Sequence, residues 1–492
     1  MRLVHIAILS SALVFGTPIL GHAQSSHSIC LTQVVDSLSL HSPTAKLKQL
    51  DYISRILQNQ NYRLSFLPAL SLSLSPINFN RSLRLLQRPE DGSYRYIEDY
   101  SNNTSIGLSI RQKIRFTGGE ISISSGLGIL SEISLRRTSF NSTPFSIGYS
   151  QQLWGARHLA QLEDRIEHLR LMIVKKQHLM DLAKIQQEVV RIYMDAVGNY
   201  LEFRQSKDLC SRNDSLKSIA SLRMKHGQIT EYDYNQIQLQ TLNQEQNLEA
   251  TQHAYEQSLS HLASYLGIDS CNSVNLPDID LPIFLDLAQV QADIELRNPF
   301  ALQQELEAVT SDQALYQAKL STYINGNISL SYGVNQHAYR LAEAYRNGNV
   351  RQGVNLSLQI PIFQWGINKN KLRIARNTRE ANRIQANIRA RGFQDEVTAL
   401  VHRYNHAIKR WHTAQRTHSL AQRQYDLLIQ KFGLGKVSLY ELIMGERDLQ
   451  GALKSYYTAM QDALMSYYSI RALALFDYQR GMLLEQLLRI NE

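Results

Sequence analysis

His402 and His406 stand four residues apart, the spacing that sets two imidazoles on one helical face within reach of a single metal ion. Nothing completes the set, because no nearby acid takes up the metalloprotease arrangement, and two surface histidines are the better reading. The chain has no Cys-x-x-Cys, no phosphate-binding glycine loop ahead of a helix and no nucleophile elbow. Neither enzyme activity nor a cofactor is expected. The residue types that remain suggestive are glycines, hydroxyls and acids in a repeated pattern. Met224-x-x-Gly227-x-x-Thr230-x-x-Asp233 recurs as Phe432-x-x-Gly435-x-x-Ser438-x-x-Glu441, every pair being 208 positions apart (435 − 227 = 208). Gly permits a tight turn, and Thr or Ser can cap the helix that follows it. Each copy joins two long, proline-free helical stretches, so the chain reads as an internal duplication with two matching helical tips.

The elements that must carry those tips are long. From Leu153 to about Lys225 apolar residues recur at helical spacing (Leu162, Ile166, Leu169, Ile173, then Leu182, Ile185, Val189, Ile192) without a proline. A continuous helix there would be near 110 Å long at about 1.5 Å per residue. A rod of that length is not stable alone and must pack laterally as a coiled coil. The expected organisation is a signal peptide over 1–23, then a first repeat over 24–270. That repeat holds a short helix, strands at about 62–151, a long helix at about 153–225, a tip at about 226–230 and a return helix at about 231–266. A linker over 271–286, marked by Pro277 and Pro282, leads to the second repeat over 287–492. There a helix spans about 287–323, strands about 325–360, a long helix about 362–431, a tip about 432–437 and a return helix about 438–488.

Between the helices, apolar residues alternate with polar ones, the period of a strand with one apolar face. Leu64, Phe66, Leu70, Leu72 and Leu74 form one such run, and Ile106, Leu108, Ile110, Ile114 and Phe116 another. Ile121, Ile123, Leu127, Ile129, Ile133 and Leu135 form a third, continued by Phe145, Ile147 and Tyr149, and Ile328, Leu330, Tyr332, Val334 then Val354, Leu356, Leu358, Ile360 bring the pattern back. The opposite face is mostly Ser, Asn, Gln and Gly, a composition suited to a watered lumen, and the runs are long enough for membrane-spanning strands. Tyr94, Tyr96, Tyr100, Phe140, Tyr339 and Tyr345 fall near the loop ends, where an aromatic belt would sit. A soluble antiparallel sheet gives the same alternation; export and the flanking helices favour the barrel. Four to six strands are too few to close a pore, and open edges cannot face lipid, so several chains must share one barrel.

Composition sets the remaining limits. Charged residues make up 19% and hydrophobic ones 43%, and no stretch after the signal reaches 18 consecutive apolar residues, so no transmembrane helix is expected. The net charge of +9 is spread along helices without a clustered patch, which reads as a solvated basic surface and not as a nucleic-acid site. Met1-Arg2, the apolar run Leu3 to Phe15 and the Gly21-His22-Ala23 cleavage site read as a signal peptide of an exported protein. Cys210 lies 17 residues before Gly227 and Cys271 lies 44 after it. On antiparallel helices that is a height difference of roughly 40 Å, so no disulfide is expected between them.

Taken together, the chain resembles the TolC family of outer-membrane efflux channels over nearly its whole mature length. The motifs are Arg297-Asn298-Pro299, Ile360-Pro361-Ile362-Phe363-Gln364-Trp365-Gly366 and the two tips. Weaker first-repeat counterparts are His41-Ser42-Pro43 and Gln151-Gln152-Leu153-Trp154-Gly155. The resemblance implies an α+β membrane protein: long α-helical coiled-coil hairpins form a periplasmic α-barrel, and β-strands contribute to a shared trimeric outer-membrane β-barrel of a Gram-negative bacterium. It implies a homotrimer embedded in outer-membrane lipid, meeting a periplasmic membrane-fusion adaptor and, through it, an inner-membrane efflux transporter. It carries adaptor contact over to Gly227, Thr230, Gly435 and Ser438, and a lumen gate to Glu441, with Asp233 the equivalent in the first repeat. Family channels place another acid three residues beyond Glu441, where this chain has Met444, so a differently built gate is expected. Pro43 to Gly155 also exceeds Pro299 to Gly366 by 45 positions, enough for an extra hairpin turning at Phe116-Thr117-Gly118-Gly119-Glu120, either in the barrel wall or outside it. The implied role is a passive exit duct for a tripartite pump or type I secretion system. The alternatives are a non-conducting periplasm-spanning tether and an exported coiled-coil scaffold.

Overall fold

Two left-handed glycines launch the two long helices and two more end them. The computed structural model describes residues 28–87, 92–133 and 136–488, so the signal peptide expected over 1–23 and Leu135 of the third alternating run lie outside the described residues. Helix α1 (Pro43–Leu64) starts at Ser42, whose side chain accepts from the Ala45 N–H, with Pro43 in the first turn. Five strands follow: β1 (Ala69–Ser75), β2 (Phe79–Gln87), β3 (Tyr94–Lys113), β4 (Glu120–Glu132) and β5 (Arg137–Gln152). Gly155, at φ +81°, then opens α2 (Ala156–Lys225), whose 70 residues make a rod of about 105 Å. Helix α3 (Glu231–Leu266) returns alongside it. The second repeat runs through α4 (Leu287–Arg297), α5 (Phe300–Thr322), β6 (Asn325–Ala338), β7 (Asn349–Gln359), α6 (Ile367–Gly433) and α7 (Leu439–Ala474).

All the long strands belong to one antiparallel sheet in the order β1-β3-β4-β5-β6-β7. β2 continues β1 along the same edge of β3: β1 pairs with Ser105–Arg111 and β2 with Tyr94–Asn102, on either side of an interruption at Pro76-Ile77-Asn78. The extra hairpin of the first repeat therefore lies in the sheet, its turn carried by Gly118 at φ +71°. The register aligns the apolar residues on one face, Leu72 opposite Leu108, Ile110 opposite Ile123, Ile123 opposite Ile147, Ile147 opposite Tyr332 and Leu330 opposite Val354. That face is bare, with Leu72 69% and Val354 76% exposed, a contiguous apolar surface that water does not tolerate. The opposite face is small and polar. Ser71 bonds Ser109 at 2.8 Å, and a Cβ on Gly107 would lie 2.8 Å from the Ser73 hydroxyl.

The helices form a single layer that changes membership along its length. Near the sheet the order is α1-α2-α5-α6; towards the tips it is α3-α2-α7-α6. Helix α2 thus needs apolar residues on shifting faces, first Ile166, Leu169 and Ile173, later Leu209, Leu216 and Ala220. Midway it is buried nearly all round, at Val189, Val190, Ile192, Tyr193, Met194, Ala196 and Val197. A belt of short segments covers it there. Ser28–Ile29 pairs in parallel with Ser273–Val274, and the Tyr193 hydroxyl reaches the carbonyl oxygens of Ile29 and Asn275 at 3.1 and 2.6 Å. Among the described residues no helix is long and apolar enough to cross a membrane.

Four segment boundaries depart from expectation. Leu64 ends α1 and Phe66 sits in a turn, because the α1 hydrogen bonding continues to Ser65 and Pro68 then delays the strand until Ala69. The helix expected at about 287–323 is broken at Asn298-Pro299. Asn298 is extended, as a residue before proline must be, and its side chain takes the Phe300 N–H (2.9 Å) and donates to the Leu473 carbonyl (2.9 Å). The long helix expected from Ile362 begins at Ile367, after the left-handed Gly366. The return helix expected to reach 488 stops at Ala474, where Leu475 turns left-handed (φ 52°). A hairpin of Phe476–Asp477 with Met482–Leu483 follows, organised by the buried Asp477 carboxylate. It accepts from Tyr467 (2.6 Å), from Arg471 Nε (2.9 Å) and from the Gln479 and Arg480 N–H groups (3.1 Å each), while Arg471 Nη1 reaches Gln186 of α2 at 2.8 Å.

Candidate functional site

The ends of the two hairpins are built by the same hydrogen bonds. In the first, the Arg223 carbonyl accepts from Gln228 N (2.9 Å) and the Met224 carbonyl from Gly227 N (2.9 Å), with Gly227 at φ +72°. In the second, the Lys431 carbonyl accepts from Lys436 N (3.0 Å) and that of Phe432 from Gly435 N (2.9 Å), with Gly435 at φ +75°. This is the helix-ending corner that a left-handed glycine makes cheap. The return helices are then capped reciprocally. Thr230 Oγ1 accepts from Asp233 N (3.1 Å) while Asp233 Oδ2 accepts from Thr230 N (3.2 Å); Ser438 Oγ and Glu441 Oε2 do the same at 3.3 and 2.8 Å. The backbone N–H of Ser438 first, and its hydroxyl second, hold the exposed Glu441 carboxyl below its ordinary range. Both acids expected to line a gate therefore cap the head of a helix, where the dipole favours negative charge.

The tips differ in one contact that sequence reasoning missed. Arg223 reaches from the first tip to the second, donating through Nη1 to the Phe432 carbonyl (2.9 Å), with its guanidinium 5.1 Å from the Phe432 ring centre. The same carbonyl receives the Gly435 N–H, so the bridge lands on the corner itself. A Cβ on Gly435 would stand 3.3 Å from Arg223 Nη2, whereas one on Gly227 would meet nothing within 4 Å. The counterpart of Arg223 in the second repeat is Lys431 (223 + 208 = 431), so only the first copy supplies the planar, stacking cation.

A second missed residue lies behind the tips. Met444, 37% exposed, offers no charge, but Glu446 on the same helix is only 3% exposed. One of its oxygens accepts from Gln240 Nε2 of α3 (3.3 Å), and the other has no partner. It sits in an apolar cluster with Leu442, Leu449, Tyr425 and Ile237, and burial pushes its carboxyl up. The buried Tyr425 hydroxyl also lacks a partner. The spacing 442, 446, 449, 453 could have revealed Glu446 as an acid on an otherwise apolar stripe.

His402 and His406 line a shallow recess of about 220 Å³ with Asn405, Lys409 and the linker residues Phe284 to Leu287. No group of three metal-ligating residues occurs among the described residues. Cys30, Cys210 and Cys271 are free.

The chain thus carries an open apolar sheet at one end and capped glycine corners at the other. The model of the outer membrane efflux protein family matches positions 301 to 474, from α5 through β6, β7 and α6 to the end of α7. Residues 301–474 belong to the outer membrane efflux protein family. The fold of the whole chain is similar to that of VceC, an outer membrane protein of Vibrio cholerae, at 13% identity and TM-score 0.65, covering 90% of this chain and 96% of that one. The CmeC outer membrane channel of Campylobacter jejuni gives 14% identity and TM-score 0.62 over 93% and 90% of the two chains. A membrane protein of Pseudomonas aeruginosa gives 13% and 0.64 over 92% of each. No curated protein sequence matches. The family matched over residues 301–474 is one of outer membrane efflux proteins, which are transport conduits and not enzymes, and the whole chain shares the fold of outer membrane channels.

Proposed function

We propose that three copies form a passive exit duct across periplasm and outer membrane, completing a tripartite pump or type I secretion system powered by an inner-membrane transporter. The observation that carries this reading is the sheet whose two long edges, β1 with β2 on one side and β7 on the other, are unpaired among the described residues, and which bears a bare apolar face. A lipid-facing sheet cannot leave its edges open, and closure needs further copies. Three copies of six strand positions give a wall of about eighteen strands, within the range of known barrels. The serine-rich inner face then lines a wet bore.

At the far end, Gly227, Thr230, Gly435 and Ser438 form the docking corners for a periplasmic adaptor, and Glu441 with Asp233 frames the opening. A ring of three ionised Glu441 carboxylates favours cations and resists closure. The Arg223 bridge gives the tips a resting position that adaptor binding releases. The test is conductance in planar bilayers with crosslinking to the co-expressed adaptor from positions 227 and 435. Cation-conducting trimers that crosslink support the duct. A trimer that stays silent even as Glu441→Ala is a tether, and extraction from membranes without detergent identifies a soluble scaffold.

A further inference from the structure

Helices α3 and α6 are the two outer members of the layer near the tips, and their charges are opposite. Helix α3 carries five acids (Glu231, Asp233, Glu245, Glu249 and Glu256) and no Lys or Arg. The α6 stretch from Leu400 to Gly433 carries six basic residues (Arg403, Lys409, Arg410, Arg416, Arg423 and Lys431) against the single acid Asp426. Asp426 is paired internally with Arg212, and Arg410 with Asp462. Among the described residues Lys409, Arg416 and Arg423 on one side, and Glu245, Glu249 and Glu256 on the other, form no ion pair, and all six are exposed. Lys409, Arg416 and Arg423 repeat every seven residues, so they form one row along a coiled-coil helix. The three glutamates fall within about 40° of one another around α3 at 100° per residue.

Each edge also carries large apolar side chains more than half exposed, Leu239 and Leu242 on α3 and Leu420 and Leu427 on α6. Their heights match. The Arg223 bridge to Phe432 holds the two corners level, so distance along the helix from each glycine measures height. Leu420 lies 15 residues before Gly435 and Leu242 lies 15 after Gly227 (435 − 420 = 242 − 227). Arg416 lies 19 before and Glu245 18 after, an offset of about 1.5 Å. Lys409, at 26 before, falls between Glu249 at 22 after and Glu256 at 29 after. One edge is thus a leucine seam flanked by acid, and the other a leucine seam flanked by base at the same levels.

We propose that α6 of one copy docks on α3 of a second copy through this seam, leucine against leucine with Lys409 and Arg416 facing Glu245, Glu249 and Glu256. The contact is head to tail, and the like charges on each edge disfavour α3 on α3 and α6 on α6. Complementarity is confined to the tip half: α1, the outer helix nearer the sheet, has Lys46, Lys48, Arg55 and Arg63 against Asp51 alone. The proposal rests on the trimer reading above, and the wild-type mass in detergent tests that reading separately.

The experiment is charge reversal read by light-scattering mass. Glu245→Lys/Glu249→Lys/Glu256→Lys is expected to lower the trimer fraction at least tenfold while circular dichroism of the monomer keeps its helix content. Adding Lys409→Glu/Arg416→Glu/Arg423→Glu in the same chain restores trimers. Mixing the two singly reversed chains does not, because their partnership must alternate and a ring of three cannot. With Cys30, Cys210 and Cys271 changed to Ser, the pair Leu242→Cys/Leu420→Cys gives crosslinked trimers and neither change alone gives any product. Trimers of the first variant equal to wild type, or dimers from either single cysteine, overturn the seam and leave the duct standing; a monomeric wild type overturns both.

Discussion

Arg223 and Phe432 join the two hairpin ends of one chain, guanidinium to carbonyl at 2.9 Å and over the ring at 5.1 Å. Because the bond is charge-assisted but only partly buried, its loss costs about 1 kcal/mol or slightly more. Arg223→Ala is expected to raise the open fraction in bilayers several-fold with little change in the unfolding midpoint. Arg223→Lys recovers only part of the closed behaviour, since lysine keeps the charge and loses the planar stack. Unchanged conductance in Arg223→Ala would remove the bridge from any gating role.

The two corner glycines should respond unequally. Both are left-handed, so alanine costs about 1 kcal/mol of backbone strain at either. Only at position 435 must Arg223 also move, its Nη2 being 3.3 Å from the new Cβ. Gly435→Ala is therefore expected to lower the midpoint more than Gly227→Ala and to raise conductance as well. Calorimetry on the two variants decides it, and equal shifts would mean the bridge yields freely.

Acid and base dependence separate Glu446 from Glu441. Burial raises the folded-state value of Glu446, so its contribution is fully present below the unfolded value near 4.5 and is lost as pH rises through the folded value. Glu446→Gln is expected to stabilise the protein at pH 7.5 and to lose that advantage at about pH 4. Glu441 is shifted downward, so its contribution is present above the unfolded value and lost as pH falls through the folded one. Glu441→Gln is then neutral in strong acid and unfavourable near neutrality. Midpoints that move in parallel with pH for both variants would contradict the assignment.

At mid-height, Asp477 and Arg471 form a buried pair at 2.9 Å, 7% and 2% exposed. Asp477→Ala strands the guanidinium and three further donors, with an expected cost of about 3–5 kcal/mol. Limited proteolysis should then cut first in the 476–488 segment. A protease pattern identical to wild type would show that the belt is held by packing alone.

Much of this was legible because periodicity survives in long elements. The parity of Ile106, Leu108 and Ile110 against Ile121 and Ile123 reported the apolar face of the sheet, and the spacing of Gly227 and Gly435 reported two equivalent corners. The break at Asn298-Pro299 was less visible, because apolar residues at helical spacing continue on both sides of it. Leu64 and Phe66 share the parity of the following strand by coincidence, and nothing local outweighs the helix that began at Ser42. Arg223 and Glu446 were missed for a common reason. Each acts across helices that sequence distance separates by about two hundred residues, and a single cation or acid carries no mark of what it meets.

The six-position sheet also affects how such a duct would throttle flow. A barrel's girth grows with strand number, so about eighteen strands make a mouth roughly half as wide again as that of a twelve-stranded barrel. Its helical section still has four helices per chain at any height. Widening one end of a pipe does not widen the other, so the outer opening would offer little hydraulic resistance. The size limit on cargo would then be set some 100 Å away, where Gly227 and Gly435 turn the chain.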